Sequence, residues 1–169
     1  MKTETQYSNV IIKTEDNLYT LSEPQTKQDL YNALLNILEE DFLRPDSMNS
    51  PDQTRKYLQV KLAPYEHEVF CVIFLDSQHR VIKFEELFRG TIDSASVYPR
   101  EVLKRCLQLN AAAVIFSHNH PSGIPEPSSA DIRLTAKLID ALSLIDVRVI
   151  DHIVVGATKS VSFAEQGLL

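Results

Sequence analysis

One stretch of the sequence decides the fold, residues 111–131, which read AAAVIFSHNHPSGIPEPSSAD. Its first six residues, 111–116, are small or apolar and predict a buried strand. Because a strand alternates its side chains between two faces, His118 and His120 are expected to point the same way. The Pro and Gly residues that follow predict a loop, and a helix is expected to begin near Ser128.

The two histidines and the start of this helix together carry groups that bind metal ions. Asp131 would lie in the first helical turn, where its carboxylate can turn back toward His118 and His120. Two neutral imidazoles and one carboxylate are typical of catalytic zinc sites, which keep a fourth position for water. A simpler interpretation stays open, because Ser128 and Asp131 also have the spacing of a helix capping box. The pattern predicts one Zn²⁺, with His118, His120 and Asp131 as its ligands.

This spacing resembles the JAMM (MPN+) metalloprotease motif, His-x-His, seven residues, Ser, two residues, Asp. Five short sequence motifs, spread over roughly residues 50–169, resemble the JAMM domain of the RadC family. In chain order they are Pro99-Arg100-Glu101, Asn110-Ala111-Ala112-Ala113, His118-Asn119-His120-Pro121-Ser122-Gly123, Pro127-Ser128-Ser129-Ala130-Asp131 and Asp151-His152-Ile153-Val154-Val155-Gly156. The resemblance implies an α/β fold of the α+β kind, a mixed sheet flanked by helices with JAMM/MPN, cytidine-deaminase-like architecture.

The resemblance also implies catalytic roles for two residues. JAMM enzymes take a general base from a glutamate well upstream, and the RadC family has one at the place of Glu68, before the apolar run 69–75. The alternative for Glu68 is a solvated acid at a strand edge. Ser128 would donate a hydrogen bond to the substrate's carbonyl oxygen, a role that competes with helix capping for the same hydroxyl. The other upstream acids considered for the base are Glu66, Glu85, Glu86 and Glu101.

The implied activity is that of a zinc-dependent hydrolase, a metallopeptidase that cleaves a peptide or isopeptide bond in an unknown peptide or protein substrate. A second hypothesis is a factor in DNA repair or DNA metabolism, the historical label of the RadC family, and a third is a noncatalytic binding module. The net charge of −6 disfavours broad nucleic-acid binding. A local basic patch of Arg100, Lys104 and Arg105 is left open. The complete ligand set argues against the noncatalytic module.

Length and composition predict the organisation of the chain. The 169 residues predict an N-terminal arm with one helix at 1–45 and a RadC-like JAMM domain at 46–169, a short form without the family's helix-hairpin-helix region. Cys71 and Cys106 lack a Cys-x-x-Cys setting and suit a reducing cytoplasm. No apolar run reaches the length of a membrane span, so no membrane partner is expected. The oligomeric state is left open, with a dimer among the possibilities.

Apolar periodicity places the remaining elements. Helices are predicted at 27–43, from residue 50, at 99–109 and at 128–144, and strands at 68–76, 80–88, 111–117 and 148–155, with short strands near 10–12 and 18–21. In the 128–144 helix the predicted core face is Ile132, Ala136, Ile139 and Leu142. Asn119 is expected to face away from the histidines and to hold the loop. His152 is predicted to be a core or supporting histidine, and Asp151 is one candidate for orienting a ligand histidine.

Overall fold

The computed structural model describes residues 5–7, 11–14, 16, 18–42, 50–90 and 96–169. The chain divides into two compact units, Met1–Phe42 and Leu43–Leu169. The predicted boundary between residues 45 and 46 lies outside the described residues, so the predicted division stays a prediction.

The first unit combines a small antiparallel sheet with one helix. The sheet has the order β1-β2-β3, with β1 at Thr5–Tyr7, β2 at Ile11–Lys13 and β3 at Tyr19–Leu21, and the helix is α1, Lys27–Phe42. Strand β1 was not predicted, because its sequence, Thr-Gln-Tyr, lacks an apolar run. Residue 10 of the predicted 10–12 strand lies outside the described residues.

The second unit is built on a five-stranded mixed sheet of order β5-β4-β6-β7-β8. The strands are β4 (Val69–Leu75), β5 (Val81–Arg89), β6 (Ala113–Asn119), β7 (Arg148–Val155) and β8 (Ser160–Ser162). The helices are α2 (Pro51–Leu62), α3 (Pro99–Leu109), α4 (Ser129–Ser143) and α5 (Phe163–Gln166). The sheet is mixed because β6 pairs antiparallel with β4 and parallel with β7. The predicted fold class, a mixed sheet with helices, is confirmed.

The core is centred on β4, whose seven residues are all buried. A fully apolar strand suits this place, since such strands are covered on both faces. On one face, side chains of β4 and β6 pack against helices α3 and α4. The members of this cluster include Phe70, Val72, Phe74, Val114, Phe116, Val102, Cys106, Leu138 and Leu142. This packing fixes the end of β6 relative to the start of α4.

The buried face of α4 differs from the predicted one. Thr135, Leu138 and Leu142 are buried. Of the predicted face, Ile132 and Ala136 are exposed and Ile139 is only partly buried. Both sets have helical spacing and share Leu142, so periodicity alone did not separate them. Thr135 was passed over because it is polar. Its burial is tolerated because its hydroxyl is hydrogen-bonded at both available positions, as described below.

Strand β6 reaches two residues further than predicted, to Asn119. The main chain of Asn119 pairs with Val155, so the parallel ladder with β7 continues past the predicted end. As a result His118 lies inside the strand and His120 follows directly after it.

Among the described residues, no helix is long and apolar enough to cross a membrane.

Candidate metal centre

Three side chains meet where β6 ends and α4 begins. The Nε2 atoms of His118 and His120 lie 3.0 Å apart. Asp131 places Oδ1 at 3.5 Å from His118 Nε2 and Oδ2 at 3.5 Å from His120 Nε2. The His118 side chain is buried, while those of His120 and Asp131 are partly exposed. The cluster is therefore embedded on one side and reachable from solvent on the other.

The separations between these atoms suit a small tetrahedral cation. Zinc binds histidine nitrogen at about 2.0–2.1 Å, so tetrahedral geometry places two ligand atoms about 3.3–3.4 Å apart. The three measured separations, 3.0, 3.5 and 3.5 Å, lie on either side of that value. His118, His120 and Asp131 each offer one ligand atom to a common point, so this group could hold a metal ion.

A buried hydrogen-bonded chain supports His118 from behind. His118 Nδ1 lies 2.8 Å from His152 Nε2, and His152 Nδ1 lies 2.6 Å from the Thr135 hydroxyl. That hydroxyl donates to the main-chain carbonyl of Asp131 at 2.7 Å. His152 and Thr135 are both fully buried. The chain thus begins at one candidate ligand and ends on the main chain of another.

Proton positions in this chain follow from its last member, the Asp131 carbonyl, which can only accept. The Thr135 hydroxyl donates to it and must therefore accept from His152 Nδ1–H. Burial lowers the pKa of His152 well below its ordinary value, so its ring is neutral and its Nε2 accepts. His118 therefore donates from Nδ1, which leaves a lone pair on its Nε2.

His120 is held in the same tautomer by a different partner. Its Nδ1 lies 2.8 Å from the main-chain carbonyl of Ile124, so Nδ1 carries the hydrogen and Nε2 carries the lone pair. The two Nε2 lone pairs of His118 and His120 then face each other across 3.0 Å. This arrangement is repulsive unless a proton or a metal cation lies between them.

The Asp131 carboxylate adds negative charge beside the two imidazoles. Hydrogen bonding to Asp131 raises the pKa of His120, although burial opposes the change. Burial alone would raise the pKa of Asp131, but hydrogen bonds with His118, His120 and Ser128 outweigh it and hold that pKa well below its usual range. The site therefore keeps an ionised carboxylate beside two imidazoles.

A close approach between two glycines shapes the loop after His120. A Cβ on Gly156 would lie 2.5 Å from the Gly123 carbonyl oxygen, so only glycine fits there. The Gly123 carbonyl accepts a hydrogen bond from the main chain of Ala157, and His120 N–H donates to the Val155 carbonyl at 2.8 Å. The loop is thus fastened to the end of β7, which keeps the carbonyl that orients His120 in place.

Comparison with known families identifies the domain that carries this cluster. A family model described as "RadC-like JAB domain" matches residues 48–168, well over half of the chain. The chain belongs to the RadC-like JAB domain family. The resemblance to the RadC family drawn from the sequence is confirmed.

Curated relatives of this RadC-like JAB domain protein carry the name UPF0758 protein. One from Vibrio cholerae is 58% identical over 151 residues, which are 89% of this chain and 95% of the relative. One from Marinobacter nauticus is 55% identical over 133 residues, 79% of this chain and 59% of the relative. One from Thioalkalivibrio sulfidiphilus is 59% identical over 132 residues, 78% of this chain and 59% of the relative. The chain thus spans little more than half the length of these two longer relatives.

In this RadC-like JAB domain, Glu68 lies directly before β4, beside the histidine strand. Strand pairing sets Phe70 opposite His118, and the Phe70 ring stacks on that imidazole at 14°, with centroids 6.4 Å apart. The Glu68 carbonyl accepts from Gly90 N–H at 2.8 Å, so the β4–β5 ladder continues through it. Side chains two residues apart on an extended chain share a face. Glu68 therefore lies on the face of His118, level with His120.

The Glu68 carboxylate lies near the site and has no hydrogen-bond or ion-pair partner among the residues that the structure describes. The largest cause of the raised pKa of His120 is its hydrogen bond to Asp131, and the negative charge of Glu68 is the smallest of the causes. Glu85 instead pairs with Arg105, and Glu86 accepts from Tyr65 and Arg89; Glu101 lies near Lys104 on the surface.

Ser128 caps helix α4. Its hydroxyl accepts from Asp131 N–H at 3.2 Å and donates to Asp131 Oδ2 at 2.6 Å. Its own N–H donates to the same oxygen at 2.7 Å, which completes a capping box. The cap therefore also fixes the Asp131 carboxylate beside the histidines. The oxyanion role of Ser128 stays a prediction.

The sequence predicted only some of the residues that support the candidate ligands. His152 is the supporting histidine that was predicted, but Asp151 does not orient a candidate ligand: it accepts from Ser162 and Ala164 of the C-terminal segment. Thr135 was missed. Its position one turn after Asp131 was the available signal, because Thr in a helix commonly bonds the carbonyl four residues earlier.

The buried chain makes a testable contribution to metal binding. Thr135→Val keeps the side-chain shape but leaves His152 Nδ1–H without its acceptor, so His118 is less firmly oriented. We expect zinc affinity to fall about 10–100-fold, as for other residues that orient metal-bound histidines. Competition with a chromophoric zinc chelator measures it. Thr54→Val, at a buried threonine of α2, is the matched control, and wild-type affinity in Thr135→Val would contradict the expected role.

Proposed function

We propose that this protein is a zinc-dependent hydrolase of the JAMM type that cleaves a peptide or isopeptide bond. The observation that carries the proposal is the facing pair of Nε2 lone pairs, with the Asp131 carboxylate at 3.5 Å from each nitrogen. A divalent cation relieves that repulsion and is neutralised in part by the carboxylate. His118, His120 and Asp131 would hold the zinc.

Bound zinc supplies Lewis acidity, which makes a water nucleophilic near neutral pH and polarises a carbonyl. The protein's own groups supply the proton transfers. The Glu68 carboxylate lies on the face of the histidines and has no partner within the described ranges, so it takes the proton of the attacking water and returns it to the leaving amine. Ser128 donates its hydroxyl hydrogen to the developing oxyanion, in exchange for its hydrogen bond to Asp131.

The described residues give less support to a nucleic-acid-binding role than to hydrolysis. Of the three basic residues on α3, Arg105 is engaged with Glu85 and Lys104 lies 3.7 Å from Glu101, so part of the charge of this patch is compensated. The DNA-repair label is compatible with family membership, but the patch gives it no specific support. We place the proposed hydrolase in the cytoplasm, because Cys71 and Cys106 are buried free thiols that need no oxidising compartment.

Metal dependence tests the proposed function. The purified protein should contain about one zinc per chain, the stoichiometry of a single three-ligand site. It should hydrolyse members of a library of fluorogenic peptides and isopeptide-linked lysines, lose that activity with a chelator and regain it with added zinc. Zinc-free protein as purified, or hydrolysis that a chelator does not affect, would contradict the proposal.

A further inference from the structure

We propose that Asn119 is a positioning residue for Glu68, which its side chain aligns through the main chain on both sides of that acid. The inference rests on the proposed function, in which Glu68 is the general base. Asn119 lies between the two histidines in sequence, yet it points to the opposite face of β6 and takes no part in the histidine–aspartate cluster.

The contacts of Asn119 all reach the segment before β4. Its Oδ1 accepts from Val69 N–H at 2.8 Å. Its Nδ2 donates to the His67 carbonyl at 2.9 Å and to the Tyr65 carbonyl at 3.3 Å. Asn119 is 2% exposed, so its amide has little access to water and is costly to leave without partners. The loop after His120, which Asn119 was expected to hold, receives none of them.

The pairing of the strands explains why a side chain is needed at this point. The last main-chain pair between β4 and β6 is Phe70 with His118. Strand β6 continues one residue further, to Asn119, whose main chain is paired only on the other edge, with Val155 of β7. Without a further contact the residues before Phe70 would lack a partner on the β6 side. The Asn119 amide supplies that partner and extends the connection to Glu68's neighbours.

Glu68 is thereby fixed at three consecutive residues. Asn119 holds the His67 carbonyl on one side and the Val69 N–H on the other, and Gly90 N–H holds the Glu68 carbonyl itself. Only the Glu68 side chain is left to move. Because a general base must lie within one hydrogen bond of its water, a small shift of this main chain would be felt in the proton transfer.

An amide is the side chain that suits this position. One end must accept from an N–H and the other must donate to carbonyls, and the group must be neutral because it is buried. Aspartate could accept from Val69 but would set an oxygen against the two carbonyls. Asn119 also lies between His118 and His120, so one strand end fixes the proposed metal ligands and the proposed base together.

The test uses cobalt(II) in place of zinc in the full-length protein, since its visible spectrum reports the immediate surroundings of the metal without any substrate. The pH midpoint of that spectrum is measured for wild type, Glu68→Gln, Asn119→Ala and the double variant. We expect Asn119→Ala to shift the midpoint in the direction of Glu68→Gln. The double variant should have the midpoint of Glu68→Gln alone, because Asn119 acts through Glu68.

Ser117→Ala is the matched control, because it also removes a buried hydrogen bond from this face of β6, to the Ile153 carbonyl, and should leave the midpoint unchanged. Should Asn119→Ala fail to fold, Asn119→Leu fills nearly the same space without adding a charge, removes the same hydrogen bonds and should show the same shift. An unchanged midpoint in a folded Asn119 variant, beside a shifted Glu68→Gln, would overturn the inference alone. So would shifts that add in the double variant. An unchanged midpoint in Glu68→Gln would overturn the proposed base and the inference with it.

Discussion

The His120→Ala variant is expected to lose most of its bound zinc while keeping its fold. It removes one of three donor atoms and the imidazole that faces His118 Nε2 at 3.0 Å. The remaining imidazole and carboxylate do not complete a three-ligand site. The fold should persist because His120 is partly exposed and does not belong to the buried apolar cluster.

Zinc per chain after gel filtration and the far-ultraviolet circular dichroism spectrum measure the two parts of this expectation. His67→Ala is the matched control, because this half-buried histidine meets the Tyr65 ring edge-to-face and is not part of the histidine–aspartate cluster. It should keep about one zinc, as expected for an intact site. Full zinc occupancy in His120→Ala would move the metal site elsewhere.

The Glu68→Gln variant is expected to keep both zinc and fold but to lose hydrolysis. Glutamine has nearly the same shape and so preserves packing, yet it cannot accept the water's proton. Loss of a general base typically lowers the rate about 10²–10⁴-fold. Because no proposed zinc ligand is changed, zinc content should match wild type. The combination distinguishes Glu68 from Asp131, whose replacement should reduce zinc and activity together.

The rate of hydrolysis of any peptide or isopeptide found to be cleaved by the wild type checks this expectation. Glu66→Gln is the matched control, two residues away and exposed, and should react at the wild-type rate. If Glu68→Gln is as fast as wild type, the base is another acid. A slow Glu66→Gln or Glu101→Gln would then identify it.

The sequence was most informative where local rules decide the geometry. Alternation along a strand was enough to predict that His118 and His120 point the same way. The helix start expected near Ser128 placed Asp131 in a first turn beside them. The helix predicted from residue 50 likewise begins at Pro51, and Ser50 forms a capping box there. The roles of these residues in binding and catalysis stay predictions.

Contacts between distant segments escaped the sequence for physical reasons. Thr135 and His152 bond each other across α4 and β7, and no spacing rule relates a helix residue to a strand residue that follows. Asn119 was correctly predicted to face away from the histidines, but its partners lie some fifty residues upstream. Polar contacts of this kind depend on tertiary packing, which apolar periodicity does not encode.

The strand order β5-β4-β6-β7-β8 also determines when during folding the cluster can form. Phe70 pairs with His118, and His118 pairs with Val154, so both neighbours of the histidine strand come from remote parts of the chain. Nonlocal pairs close slowly, because the entropy of loop closure is lost before contacts compensate for it. In the proposed function, zinc would then bind the folded chain and not the unfolded one. At a free zinc concentration about 100 times its Kd, it would add about 2.7 kcal/mol to the free energy of unfolding.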